Sequence, residues 1–168
     1  MPMTSFRKVY DAFFNKMEED TSFFNYFDLN EQQAMTLAAE RAHTYLMEAI
    51  AIIELKKEVD DTADFYDYDD ELLAFNWDLS RAEINLLACL MYEQEYKRQL
   101  SRLKAFEMQH VPSTLTTFSP ANERKTIRQV LSDLHEENMT MLDDYLSKDR
   151  VTRKFKTMDY DSMSEDDS

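Results

Sequence analysis

An all-α fold, a single domain of about four main helices, follows from three observations. The 168 residues include no glycine and only three prolines, and their apolar residues recur every three or four positions over long stretches. Tight two-residue hairpins lean on glycine, so a hairpin-rich β fold is disfavoured. Hydrophobic residues make up 43% of the chain, which is enough for one packed core without disulfides or metals.

The first helix is expected from Ser5 to Glu19, with Phe6, Val9, Phe13, Phe14 and Met17 as its apolar stripe. Phe23, Phe24, Tyr26 and Phe27 form an aromatic cluster in the connection that follows. Asn30 and Gln33 have the spacing of a capping box, and Met35, Ala38, Ala42, Tyr45, Leu46, Ala49, Ile52 and Ile53 carry a second helix as far as Lys56 and Lys57. From Glu58 to Glu71 there are eight acidic residues and no Lys or Arg, with Phe65, Tyr66 and Tyr68 interleaved. This reads as a long acidic loop, with a short helical turn around Leu72 to Phe75.

Ser80-Arg81-Ala82-Glu83 is a capping box that opens the third helix. Ile84, Leu87, Leu90, Met91, Leu100, Leu103 and Phe106 are its expected buried face, Lys97, Arg98, Arg102 and Lys104 give its far half a basic surface, and Val111-Pro112 ends it. Ser119 and Pro120 open the fourth helix, whose stripe runs through Ile127, Val130, Leu131, Leu134, Met141, Leu142, Tyr145 and Leu146. The domain is thus expected over residues 1–148. Residues 149–168 form a basic, then acidic, C-terminal tail, disordered when free.

The missing glycines exclude Walker loops, dinucleotide fingerprints and nucleophile elbows, which all need backbone without a Cβ. Cys89 is the lone cysteine, in an apolar run, and reads as a small buried residue. Two Glu-x-x-His stretches, Glu40 to His43 and Glu107 to His110, have the spacing used by two-metal helical bundles. Against a metal, His110 falls at a helix end beside Val111-Pro112, and Arg41 puts a cation next to His43. His135 reads as a surface residue. The aspartates of the acidic loop lack the spacing and central glycine of an EF-hand calcium site. The expectation is a protein that is not an enzyme, with no cofactor and no metal site.

Net charge is −15, which repels nucleic acid and anionic membranes unless the few bases cluster. Besides the basic far half of the third helix, they cluster at Arg150, Arg153, Lys154 and Lys156 around Phe155. These five residues, with Phe65, Tyr66 and Tyr68 of the acidic loop, are the expected partner-binding residues. No run reaches the roughly 20 apolar residues that span a bilayer, and Met1 to Asp20 is not a signal peptide.

Over roughly residues 64–148 the sequence resembles a known family. Phe75-Asn76-Trp77-Asp78-Leu79-Ser80 leads into Glu83-Ile84-Asn85-Leu86-Leu87-Ala88 and Leu90-Met91. Later, Thr117-Phe118-Ser119-Pro120-Ala121-Asn122 leads into a long helix ending Leu142-Asp143-Asp144-Tyr145. This order is similar to head–tail connector proteins (neck adaptor or head-completion proteins) of tailed phages of Gram-positive bacteria. The resemblance implies a virion structural protein, made and assembled in the host cytoplasm. It implies a homo-oligomeric ring between the portal protein and the tail, through which DNA passes without specific binding, and no membrane contact. The long acidic loop and the acidic end depart from the family pattern. Two other readings stand beside it: an acidic inhibitor that mimics DNA and acts by protein–protein binding, and a ferritin-like metal-binding bundle.

Overall fold

A computed structural model describes residues 3–17, 29–57, 63–109 and 120–156. Outside them lie the aromatic cluster Phe23 to Phe27, the start of the acidic run, His110, Val111-Pro112, Thr117 to Ser119 and the acidic end from Asp159.

Among the described residues the chain is all-α in character. Its helices are α1 (Phe6–Met17), α2 (Glu31–Lys56), α3 (Arg81–Gln109) and α4 (Pro120–Leu146). Three two-residue strands, β1 (Thr4–Ser5), β2 (Tyr68–Asp69) and β3 (Ala74–Phe75), make a small antiparallel sheet in the order β1-β3-β2. Phe75 lies opposite Thr4 on one side and Tyr68 on the other.

The helix starts obey the sequence. Asn30 Oδ1 accepts from the Gln33 N–H at 2.9 Å, and Gln33 Oε1 accepts from the Asn30 N–H at 3.2 Å, so the capping box satisfies two N–H groups that α2 leaves unpaired. Ser80 and Glu83 exchange the same two bonds at the start of α3, at 3.3 Å and 2.6 Å.

Helix α3 is the axis of the fold, packing against α1, α2 and α4. Leu86, Leu87, Ala88, Leu90 and Met91 are buried at its centre. Phe6, Val9 and Phe13 from α1 and Leu46, Ile50 and Ile53 from α2 complete the core. The expected stripe on α3 shifts accordingly: Ile84, Leu100 and Leu103 are half-buried, while Leu86, absent from that stripe, is 1% exposed. A helix with neighbours on several sides buries more than one face, and a single stripe cannot describe it.

The acidic segment is more built than a loop. Ala63 and Phe65 enter the core, the Phe65 N–H donates to Glu54 Oε1 at 2.7 Å, and Trp77 Nε1–H donates to the Asp64 carbonyl at 3.0 Å. The helical turn expected at Leu72 to Phe75 is instead a hairpin tip running into β3. The Asp69 carboxylate accepts from the N–H groups of Glu71 and Leu72 and closes the tip, and Leu73 takes φ 49°. An Asx turn plus a left-handed leucine does here what glycine does elsewhere.

Phe75 meets Phe6 at 5.0 Å, Trp77 at 6.1 Å and Tyr68 at 6.3 Å between ring centroids, all edge-on. It locks the sheet to the helices, and such pairs add to simple burial. Phe75→Ala should destabilise the chain by about 3–5 kcal/mol, read as a lower urea midpoint with an unchanged slope.

Candidate docking surfaces and buried carboxylates

Three glutamates of α3 have their side chains buried: Glu83, Glu93 and Glu95. A buried carboxylate is tolerated when paired and hydrogen-bonded, and each of these is. Arg41 of α2 donates to Glu95 Oε2 at 2.9 Å, and the Tyr45 hydroxyl donates to the same oxygen at 2.6 Å. Asn138 of α4 donates to Glu93 Oε2 at 2.8 Å, while Lys97 and His135 Nδ1 lie 2.9 Å from Oε1. Glu83 takes the Tyr145 hydroxyl at 2.7 Å and Arg150 Nε at 2.6 Å.

The last of these contacts ties residues 149–156, the described part of the expected free tail, to the helical domain. Arg150 bonds both Glu83 oxygens, donates to the Asp78 carbonyl, and stacks its guanidinium 4.5 Å from the centre of the Trp77 ring. Of the expected partner-binding residues, Arg150 is therefore an internal fastener. Residues 147–156 form a hairpin around it. Lys148 and Phe155 make an antiparallel bridge, the Lys156 N–H donates to the Ser147 carbonyl, and the Asp149 carboxylate accepts from the N–H groups of Val151 and Thr152. Arg153 closes the turn at φ 58° and reaches Ser80 Oγ at 3.2 Å.

The hairpin presents what it does not bury. Phe155 is 70% exposed and Val151 84%, with Lys154, Lys156 and Arg153 exposed beside them. Lys148 Nζ sits 5.2 Å from the centre of the Phe155 ring.

The aromatics of the acidic segment divide. Phe65 is fully buried and stacks edge-on against Trp77 at 5.3 Å, so it is a core residue and not a docking one. Tyr68 is half-buried against Phe6 and Phe75. Only Tyr66 stays exposed, with Leu72 and Leu73 at the neighbouring tip. Sequence reading missed both leucines. Two apolar residues after five acidic ones in eight positions, Asp64 to Glu71, were the available signal.

The other motifs find structural neighbours. His43 is half-buried, 3.0 Å from the Tyr10 hydroxyl and with its ring tilted against Phe6, whereas Glu40 is exposed. The Glu107 side chain and His110 lie outside what the structure describes. Among the described residues no group of three or more His, Cys, Asp or Glu could hold a metal, and no helix is long and apolar enough to cross a membrane. His135 is exposed yet bonded to Glu93. Cys89 is half-buried and not fully buried as expected. It lines a groove of about 410 Å³ between α1 and α4, with Tyr92 and Met141.

Burial alone would raise the Glu83 carboxyl. Hydrogen bonds from Arg150, Ser80 and Tyr145 outweigh it and hold the group below its ordinary 4.5. Glu93 behaves alike: burial raises it, while Asn138, Lys97 and His135 lower it further. Because the folded values are depressed, the unfolded chain takes up protons first. The stability these groups contribute is complete above about pH 4.5 and is lost as pH falls through their folded values.

An acid titration followed by circular dichroism should therefore show loss of stability beginning below about pH 4.5. Arg150→Met should cost about 3 kcal/mol, because it leaves Glu83 charged and buried without its main partner. Adding Glu83→Gln should recover part of that cost, a coupling that a double-mutant cycle in urea would measure.

No family model matches the chain, and neither a curated protein nor a solved structure matches it.

Proposed function

We propose that this chain works by docking on other proteins, as a head–tail connector subunit that forms a ring between a phage portal and tail. The observation that carries the docking reading is the hairpin at residues 147–156. A phenylalanine and a valine stand out in solvent on a turn whose base is fastened into the core by Arg150. Holding apolar side chains exposed on an ordered frame prepays the entropy of binding, and aromatic side chains of this kind dominate binding energy.

The identity of the partner rests on the resemblance over residues 64–148. The stretch Phe75 to Met91 that carries half of it is also the structural centre, running from β3 through the Ser80 cap into the buried part of α3. A net charge of −15 suits a subunit beside a DNA channel, where bound phosphates would stall passage. The same charge makes free subunits repel, so assembly is expected on a template.

Mixed at micromolar concentration with the portal of its own phage, the chain should leave its monomer-sized fraction and co-sediment as a ring. Phe155→Ser should weaken that capture by about tenfold or more. A chain that stays monomeric beside the portal would end the connector reading.

A further inference from the structure

We propose that the C-terminal hairpin of one copy docks on the β2–β3 tip of a second copy, a head-to-tail contact between unlike surfaces of the same chain. The inference rests on the docking reading above and names the partner of that hairpin.

The two surfaces are complementary in both chemistries that matter. The hairpin sets Val151 and Phe155 among Arg153, Lys154 and Lys156. The tip sets Leu72, 64% exposed, and Leu73, 46% exposed, beside Asp70 and Glu71, with Tyr66 and Asp67 exposed along the same segment. Each short turn carries exposed apolar residues together with exposed charged ones, the two chemistries of a protein interface, and the charges are of opposite sign. Opposite charges steer the approach and fix the register, while the apolar residues supply affinity.

Within one copy the two surfaces leave each other uncovered, since all four apolar side chains remain exposed. Both frames are also fixed before contact. Arg150 is fastened to Glu83 and Trp77 under the hairpin, and the Asp69 carboxylate and the Leu73 backbone shape the tip. The Leu73 carbonyl further accepts the Phe6 N–H at 2.8 Å, which ties the tip to the start of α1.

A basic hairpin could also take phosphate. The exposed valine and phenylalanine at its centre, and a total charge of −15, favour an acidic protein surface instead. This chain carries such a surface. A contact between unlike patches repeats from copy to copy and closes as a ring or runs on as a filament.

Two loop tips make a small contact beside the roughly 1,600 Å² of a standard stable interface, so a covalent readout suits the free chain. In a Cys89→Ser background, one protein carries Val151→Cys and another Leu72→Cys, and the two are mixed at high micromolar concentration under mild oxidation. The mixed dimer should form about tenfold faster than in a control that replaces Leu72→Cys by Leu55→Cys, a more exposed position on α2, because docking raises the effective thiol concentration. Adding Lys154→Glu and Lys156→Glu to the first protein should abolish the advantage. Adding Asp70→Lys and Glu71→Lys to the second should then restore it.

Equal rates in the mix and the control would give the hairpin to another occupant, the chain's own acidic end or a foreign protein, and overturn the proposal. Failure of the charge reversal to rescue would do the same. So would duplex DNA that binds the chain through Lys154 and Lys156 while the mix and the control cross-link at equal rates, which would give the hairpin to phosphate. Portal capture together with equal rates would remove this contact and leave the connector reading standing. Fast cross-linking without portal capture would do the opposite.

Discussion

The fold depends on how α3 keeps charge in its interior. Glu83, Glu93 and Glu95 lie along one helix, and their partners come from α2, from α4 and from the C-terminal hairpin. Hydrophobic contact could hold these elements against α3 at many rotations and registers. A buried carboxylate cannot tolerate that freedom, because a slipped neighbour leaves a bare charge in the core. Each pairing therefore penalises a rotation or slip of the element that supplies it. Their contribution to net stability is smaller than their contribution to uniqueness.

Glu83 joins two levels of structure. It is the last residue of a local capping box, and it also receives Tyr145 and Arg150 from about 60 residues further along the chain. The start of α3, the end of α4 and the hairpin are thereby set by one carboxylate. The exposed face carrying Phe155 hangs from the same point, so docking geometry and fold geometry are linked.

Much of this architecture was legible in the sequence. The four helices among the described residues, both capping boxes and most of the stripes of α1 and α2 follow from spacing, since local rules govern them, although Met35 of the expected α2 stripe is exposed and the buried Ile50 was absent from it. The order of the acidic segment and of residues 149–156 was hidden for a physical reason. Their backbones are organised by Asx turns and by single long-range contacts such as Arg150 with Glu83, and neither has a period. Phe65 and Tyr66 are adjacent aromatics in the same acidic run, yet one is core and the other surface. The packing of Phe65 on Trp77 and Tyr145 separates them. The buried glutamates were hidden too, because a charged residue on a helix reads as solvent-facing until its partners are placed.

A chain without glycine also folds from a narrower starting ensemble. Every residue carries a Cβ, so the unfolded backbone visits fewer conformations and loses less entropy on ordering. The turns then fall to side chains. Asp64, Asp69 and Asp149 each bind backbone N–H groups ahead of them, and Leu73 and Arg153 accept a left-handed backbone at some strain. Some of the acidity that reads as surplus surface charge is thus the hinge-work of the backbone. Neutralising those aspartates would loosen the loops that carry the exposed residues before it touched the helices.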